Sequence, residues 1–282
     1  MASCTSVIIW IDMQELFVIE SVYKNDRPEY LKTALDSIFK QSYGKYKLLL
    51  FIDGPISADL WSVIKSYNDE RLDVIDNPQN VGLATALNRM LEKCRSAEYI
   101  ARMDSDDISM PDRFQKQIDY LCAHPEVDMV GGAINEIDEK GNDRGKIIRY
   151  PCEPERCRKF FAKRNPVAHP AVMFRRSFFE KCGWRYPTDY LRNEDTCLWY
   201  EGYKCGCVIA NIPDVVLNFR VTGSMFTQRR NGKDFAKSQL KLRKLIAKDL
   251  NYGPLSVMYA YGMYLLMISP SWVLKVAYRL LR

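Results

Sequence analysis

The amino-acid sequence predicts an α/β fold: a mainly parallel sheet flanked by helices, then a mixed second half and a helical C-terminal tail. Short apolar runs of strand length alternate with amphipathic helical segments through the first half of the chain. These runs lack the polar alternation of a half-exposed sheet, which indicates strands buried on both faces. Such strands need helices on both sides, so the first half is expected to form a parallel sheet.

Four strands and three helices account for the first half. The strands are expected at Leu16–Tyr23, Lys47–Ile52, Leu72–Ile75 and Tyr99–Met103. The intervening helices, which carry apolar residues at helical spacing, begin near Pro28, Ser57 and Leu83. Asp26 and Glu29 have the spacing of a capping box at the start of the first helix, and Ser57 is expected to cap the second.

The regular alternation decays after a further helix that begins at Pro111, so the second half is predicted to be mixed or antiparallel. Residues 127–134 and 146–150 flank a turn around Gly141 and would pair as a hairpin. A basic helix is expected at 155–164 and a strand at 171–174. An amphipathic helix is expected to begin at Asn193, and the last strand is expected at 215–221.

The cysteine and histidine content argues against a zinc site or a disulfide framework. The chain has nine cysteines at irregular spacings, no Cys-x-x-Cys pair and only two histidines. A reducing cytoplasm is therefore the favoured environment.

Three carboxylates follow the fourth strand directly, at Asp104, Asp106 and Asp107. If the extended geometry continues, Asp104 and Asp106 point the same way, and a divalent cation such as Mg²⁺ or Mn²⁺ would relieve their repulsion. An acidic turn that caps the next helix is the alternative interpretation.

Polar residues also follow the other three strands, at 23–26, at Asp53 and in the loop before Gly82. Ligands of parallel α/β sheets bind outside the carboxyl ends of the strands. The four polar loops therefore predict a nucleotide-type site at one rim of the sheet.

In combination these segments resemble the inverting family 2 glycosyltransferases of the GT-A fold. The segments that carry the resemblance, in the family's order, are Ser21–Asp26, Asp53-Gly54, Asn80–Leu83, Met103–Ile108 with Pro111–Phe114, and Glu194-Asp195. The resemblance covers about residues 16–225. Arg102 and the segment from Asn165 to His169 are similar to the amylovoran-type branch, which builds O-antigen and exopolysaccharide units on a lipid carrier.

The resemblance implies metal-dependent, inverting transfer of a hexose or N-acetylhexosamine from a UDP-sugar. Asp106 would ligate Mn²⁺ or Mg²⁺, and Asp104 would join the metal shell or contact the ribose. The residues implied in nucleotide-sugar binding are Ser21, Tyr23, Asp53, Asn80, Gly82, Arg102 and Asp104. Asp53 would contact the base, with a simple turn aspartate as the alternative. Many relatives have Ala-Arg-Asn where this chain has Ala86-Leu87-Asn88, so any contact made by that arginine is missing or supplied elsewhere.

The same resemblance implies that Asp195 is the base that deprotonates the acceptor, with Glu194 orienting or contacting it. An acidic cap at a helix N-terminus is the alternative for this pair. His169 would touch the metal, the diphosphate or the acceptor, or be an ordinary packed histidine. Arg229 and Arg230 would clamp the diphosphate, or lie in a solvated basic loop.

The C-terminal quarter is basic and apolar. The net charge is +6, yet the segment from Arg220 onward holds twelve Lys and Arg residues against two Asp. Residues 254–274 carry no charge and 271–282 have an amphipathic pattern, which favours attachment to an anionic membrane surface over a single span. A buried contact in an oligomer is the remaining interpretation.

The expected division is a leader (1–15), a nucleotide-sugar-binding half (16–134), an acceptor-binding half (135–225) and a helical C-terminal region (226–282). The implied acceptor is a polyprenyl-pyrophosphate-linked saccharide, and no nucleic acid is expected as a partner. The implied location is the cytoplasmic face of the bacterial inner membrane, held peripherally. A sugar-nucleotide pyrophosphorylase would need a glycine-rich loop after the first strand, which is absent; a non-catalytic anionic-surface binding protein would not explain carboxylates at three strand ends.

Overall fold

The computed structural model describes residues 15–188, 193–223, 233–269 and 273. It confirms the predicted α/β architecture, with helices packed on both faces of one mixed sheet. The strands are β1 Leu16–Val22, β2 Tyr46–Asp53, β3 Leu72–Asn77, β4 Tyr99–Asp104, β5 Ile108–Ser109, β6 Met129–Ile137, β7 Asp143–Ile148, β8 Met173–Arg175 and β9 Ile209–Arg220. The helices are α1 Pro28–Phe39, α2 Ala58–Lys65, α3 Leu83–Lys93, α4 Arg113–Ala123, α5 Pro154–Phe161, α6 Arg176–Cys182, α7 Glu194–Lys204, α8 Lys233–Asp249 and α9 Pro254–Ile268.

The strand order brings the predicted loops to one edge. Across the sheet the described strands run β3-β2-β1-β4-β8-β6-β9-β5, and β7 pairs with β6. The first four are parallel, as predicted, and the register places Ser21 opposite Asp104. Because parallel strands end at the same edge, the loops after β1, β2 and β4 meet there.

The other half of the sheet is mixed, also as predicted. β8 is antiparallel to both β4 and β6, whereas β9 is parallel to β6. The predicted β6–β7 hairpin forms, with its strands at 129–137 and 143–148. β9 begins at Ile209, earlier than predicted, because a register shift opposite Gly132 and Ala133 accommodates Pro213, which has no amide hydrogen.

The capping box predicted for α1 is wrong. The N-cap is Arg27, and no side chain caps the helix. Asp26 turns away from the helix, and its Oδ2 accepts hydrogen bonds from the Tyr23 amide at 3.0 Å and the Ser105 hydroxyl at 2.9 Å. The Asp26 carboxylate therefore hydrogen-bonds the loop after β4 instead of capping α1. The cap predicted for α2 is confirmed, since Ser57 Oγ accepts the amide of the third helical residue at 3.2 Å.

The region after 226, predicted to be helical, contains α8, which packs its apolar side against α7 through Leu242 and Ile246. Within the described ranges, each helix is too short or too polar to traverse a bilayer. The predictions for residues 1–14, for Arg229 and Arg230, and for most of the segment after 269 concern positions outside the described residues. The division at 134 and 225 remains a prediction.

Candidate active site

A cluster of three carboxylates lies at the carboxyl end of β4. Oxygens of Asp104, Asp106 and Asp107 lie within 4.8 Å of one another. A turn assembles them, because the Asp107 amide approaches the Asp104 carbonyl at 3.4 Å and the short β5 then pairs with β9. Turn geometry, and not the strand alternation considered from the sequence, brings the three groups together.

Asp107 belongs to this cluster as well, although only Asp104 and Asp106 were expected to point the same way. Its Oδ1 accepts the Arg220 amide at 2.8 Å, which ties the cluster to the end of β9. Its buried Oδ2 has no hydrogen-bond partner in the described part of the chain. Burial, together with the charges of Asp106 and Asp104, raises the pKa of Asp107 well above its ordinary value.

Arg102 is the buried cation of the site. Its side chain is 2% exposed, and its Nη2 pairs with Asp104. Its Nε and Nη1 have no hydrogen-bond partner among the described residues. A buried guanidinium normally satisfies its donors, so these two N–H groups are candidates for a hydrogen bond to a ligand or to water.

Two further buried acids adjoin the cluster, and neither was singled out from the sequence as a site residue. Burial raises the pKa of Glu20, on β1, to about 8, and the charge of Asp104 adds to the effect. Burial likewise raises the pKa of Asp26 to about 7, although its hydrogen bonds from Tyr23 and Ser105 oppose the rise. The rim therefore concentrates more carboxyl groups than the Asp-x-Asp segment alone suggested, and burial keeps the pKa values of Glu20 and Asp26 raised, which favours their neutral forms.

Glu20→Gln is expected to stabilise the protein increasingly as the pH rises. Both Glu20 oxygens lack hydrogen-bond partners among the described residues, so ionisation is penalised in the folded state. The pKa of Glu20 is about 8 in the folded state and near 4.5 in the unfolded state. Between pH 4.5 and pH 8 the folded state therefore binds a proton at Glu20 that the unfolded state has lost. Folding stability contributed by this group therefore falls with pH across that window, by up to about 1.4 kcal/mol per unit.

The check is thermal unfolding of wild type and Glu20→Gln from pH 5 to pH 9 in a chelating buffer. We expect the difference in melting temperature to widen up to about pH 8 and then to level off. A constant difference across this range would contradict the assignment of a neutral carboxyl.

Arg113 stabilises the backbone next to the carboxylate cluster. This fully buried residue donates from Nη2 to the carbonyls of Arg102 at 2.9 Å and Val172 at 3.2 Å, and from Nε to Gln117 Oε1 at 3.0 Å. Burial and the nearby Arg102 lower the pKa of Arg113 to about 9. Arg113 lies in one of the segments that carry the family resemblance, but its hydrogen bonds reach across 59 residues of sequence to Val172 and could not be read from spacing.

The loop after β2 is organised by Asp53. Its Oδ1 accepts the Val81 amide at 2.6 Å, and its Oδ2 accepts the Gly82 amide and the Asn80 side-chain amide, both at 3.0 Å. Gly54 has φ +86°, and a Cβ there would lie 2.7 Å from the Asn80 nitrogen, so only glycine fits this approach. The carboxylate holds the loop shape, and a base contact by Asp53 remains a prediction.

Asn88 stands where many relatives have the end of Ala-Arg-Asn, and it anchors a distant segment. Its side chain donates to the Tyr186 carbonyl at 3.0 Å and accepts from the Tyr186 amide. His169 Nε2 lies 3.3 Å from the Tyr186 hydroxyl, and its ring packs edge-on to Trp199. Burial and the positive charge of Arg102 lower the pKa of His169 well below its ordinary value. A neutral, packed imidazole results.

The Glu194-Asp195 pair begins α7, and Asn165 orients the aspartate. Asn165 Nδ2 donates to Asp195 Oδ2 at 2.9 Å and also approaches Thr196 Oγ1 at 2.9 Å. Arg243 of α8 in turn donates from Nη2 to Asn165 Oδ1 at 2.9 Å. Burial lowers the pKa of Arg243 to about 10, opposed by the charge of Asp195. The Asn165 segment thus supports the predicted base, a role that its sequence position did not reveal.

Arg102 connects the two acidic ends of the site electrostatically. The pKa of Glu194 is raised by burial and by Asp195, and the positive charge of Arg102 opposes that rise. Arg102 also pairs directly with Asp104 at the other end. Arg102 therefore pairs with the carboxylate cluster directly and lies close enough to the Glu194–Asp195 pair for its charge to act on Glu194.

Known proteins resemble this chain in sequence. The family profile of Glycosyl transferase family 2 matches residues 18–183. An amylovoran biosynthesis glycosyltransferase, AmsE of Erwinia amylovora, is 36% identical over 229 residues, which cover 81% of this chain and 84% of the relative. The Escherichia coli UDP-Gal:alpha-D-GlcNAc-diphosphoundecaprenol beta-1,3-galactosyltransferase is 31% identical over 232 residues, or 82% of each chain.

Among solved structures, S. aureus TarS 1-349 in complex with UDP-GlcNAc superposes with a TM-score of 0.65 at 17% identity. The match covers 89% of this chain and 70% of the TarS chain. At this identity the likeness concerns the fold, and it agrees with the α/β architecture of the sheet and its helices.

Proposed function

This chain belongs to glycosyl transferase family 2 and is a glycosyltransferase, and from that premise we propose its reaction. We propose that it moves one hexose or N-acetylhexosamine from a UDP-sugar to a polyprenyl-pyrophosphate-linked saccharide, with inversion, during bacterial surface polysaccharide synthesis. The observation that carries the proposal is that the buried Arg102 pairs with the carboxylate cluster and acts electrostatically on Glu194, next to the Asp195 that Asn165 orients. The relatives' names, which include an undecaprenol-linked acceptor and a UDP-sugar donor, support the substrate classes.

The donor end has the ligands that a hard divalent cation requires. Three carboxylates lie within 4.8 Å of one another, and a buried oxygen of Asp107 has no partner in the described chain. Oxygen donors at this density fit Mn²⁺ or Mg²⁺, with Asp104 and Asp106 as the proposed ligands. When bound, such an ion neutralises the negative charge that grows on the departing diphosphate.

The remaining donor contacts would come from the rim around β1 and β2. We propose that the loop held by Asp53, with Asn80 and Gly82, contacts the base, and that Ser21 and Tyr23 line the nucleotide beside Asp104.

Arg102 is proposed to supply the cationic contact that many relatives make with an arginine at the position that Leu87 occupies here. The side chain of Leu87 offers no hydrogen-bond donor. The open Nε and Nη1 of Arg102 suit oxygens of the diphosphate or of the sugar, so a guanidinium from β4 would serve in place of one from α3.

Asp195 is proposed to act as the general base. As the acceptor oxygen forms its bond to the anomeric carbon, Asp195 takes the hydroxyl proton and UDP departs from the opposite face, so the configuration inverts. Asn165 fixes the direction of the carboxylate by its hydrogen bond to Oδ2. Glu194, whose pKa burial raises, would contact the acceptor, and His169 as a neutral imidazole would donate or accept a hydrogen bond there.

We further propose that the enzyme works peripherally at the cytoplasmic face of the inner membrane, where a polyprenyl-linked acceptor is anchored. The basic C-terminal quarter supports attachment to anionic lipid. Arg229 and Arg230, outside the described residues, remain proposed diphosphate contacts.

A donor screen tests the proposed reaction. Purified protein would be incubated with a panel of nucleotide sugars, a lipid-pyrophosphate-GlcNAc analogue and either Mn²⁺ or EDTA, and the products analysed by mass spectrometry. We expect one UDP-sugar to add one sugar mass to the acceptor, only with the metal. Transfer from a GDP- or dTDP-sugar alone would overturn the donor class, and full transfer in EDTA would overturn the metal requirement.

A further inference from the structure

Helix α9 carries an exposed apolar stripe. Its outward residues recur at intervals of three or four, so they share one face, and they are Leu255, Met258, Tyr261, Leu265 and Ile268. Leu255 is 70% exposed and Met258 is 67% exposed. Only one other large apolar side chain is comparably exposed in the described chain, Ile147 on β7. A continuous stripe of this kind on a folded protein marks an interaction surface.

Helix α8, which precedes α9, carries a row of exposed lysines. They are Lys237, Lys241, Lys244 and Lys248, again at intervals of three or four. The two acids of α8, Asp234 and Asp249, lie at its two ends. Asp249 accepts a hydrogen bond from the Tyr200 hydroxyl. The exposed face of α8 therefore presents positive charge along most of its length.

The lysine row and the apolar stripe adjoin each other. Lys244 Nζ donates to the Tyr261 hydroxyl at 3.3 Å and lies 5.6 Å from the centre of its ring. A groove between the helices is lined by the alkyl stems of Lys241 and Lys248 together with Leu245 and Val257. The two rows thus form one amphipathic surface, which we call the α8–α9 face.

The opposite side of the α8–α9 pair is hydrogen-bonded to residues 161–165, at the end of α5 and in the loop after it. Arg243 of α8 donates to the Phe161 carbonyl and to Asn165, both at 2.9 Å. In α9, Ser256 donates to the Ala162 carbonyl, and Tyr259 accepts from Arg164 at 2.9 Å. The helix pair is therefore hydrogen-bonded to the rest of the fold at residues 161–165, which include the Asn165 that orients Asp195.

We propose that the α8–α9 face docks on an anionic lipid bilayer, with the apolar stripe of α9 in the interface and the α8 lysines against lipid phosphates. Side-by-side apolar and cationic rows are the pattern by which helices lie on anionic membranes. This inference rests on the proposed function for its biological setting, and it deepens that function by identifying the surface and the lipid chemistry.

A second copy of the chain is a less suitable occupant. A second copy presents the same lysine row with acids only at the ends of α8, so it offers no charge of opposite sign to this row. Anionic lipid supplies the charge of opposite sign.

Vesicle flotation of the full-length protein tests the proposal. The probes are phosphatidylcholine vesicles with and without phosphatidylglycerol. Wild type should float only with the anionic lipid, and less at high salt. Leu255→Ser/Leu265→Ser and Lys241→Glu/Lys248→Glu should each lower partitioning about tenfold or more. The matched controls, Ile147→Ser and Lys47→Glu/Lys65→Glu, change exposed residues of the same kinds elsewhere and should float like wild type.

Two outcomes would overturn the proposal. Variants of the α8–α9 face that float like wild type would show that another part of the chain carries binding. A wild-type dimer that Leu255→Ser/Leu265→Ser dissociates, without vesicle binding, would assign the face to a second copy.

Transfer to a short-chain, water-soluble acceptor separates this inference from the proposed function. If the variants lose flotation but keep transfer, both stand. If wild type floats as predicted but transfers no sugar, the docking face stands and the proposed reaction fails.

Discussion

Replacing Asp195 by Asn is expected to lower sugar transfer by about 10²–10⁴-fold while leaving donor binding intact. The amide keeps the size of the carboxylate, and its single oxygen can still accept the hydrogen bond from Asn165, but it cannot take the acceptor proton. Initial rates of transfer, with UDP binding measured by calorimetry, would show the two effects separately.

Glu201→Gln is the matched control, since Glu201 lies on the same helix and pairs only with Lys204 in the described structure. It should transfer at the wild-type rate. Normal turnover by Asp195→Asn would refute the base, and a parallel loss of UDP binding would instead indicate a structural role for Asp195.

Replacing Asp106 by Ala is expected to weaken metal-dependent binding of the donor. Removal of a residue that hydrogen-bonds a metal ligand typically lowers metal affinity or activity about 10–100-fold. Removal of a direct ligand should lower metal-dependent donor binding by more than that. The reason is that Asp106 belongs to the set of three carboxylates whose oxygens lie within 4.8 Å. Calorimetric titration of UDP with and without Mn²⁺ measures the effect, and transfer rates should fall in parallel.

Asp112→Ala provides the control for this experiment, because Asp112 is a half-exposed aspartate nearby that pairs with Lys116. Its metal dependence should match that of wild type. Metal-independent transfer that survives Asp106→Ala would contradict the proposed role of the cluster.

The parallel half of the sheet could be predicted because its strands are buried on both faces. Residues 48–52 of β2 are all buried, and so are 99–103 of β4, so apolar runs and strands coincide. Elements that rest on tertiary pairing were harder to find. β5 has only two residues and exists because it pairs with Asn218 and Leu217 of β9.

Site residues that follow a recognisable strand could be predicted from the sequence, whereas those inside a strand or held by distant contacts could not. Asp104 and Asp106 follow a recognisable strand, but Glu20 lies inside β1, where the sequence reads as a core position. Asp26 looked like a helix cap, and its partner Ser105 is 79 residues away. The support of Asp195 by Asn165 and Arg243 depends on contacts across 30 and 78 residues, which no local spacing encodes.

The anomeric configuration of the product shows whether a single displacement, with Asp195 as base opposite the departing diphosphate, moves the sugar. Once the donor screen has identified an α-linked UDP-sugar as donor, the proton coupling constant of the new linkage can be read by NMR. We expect a β-linkage. An α-linked product would contradict single displacement and the role of Asp195.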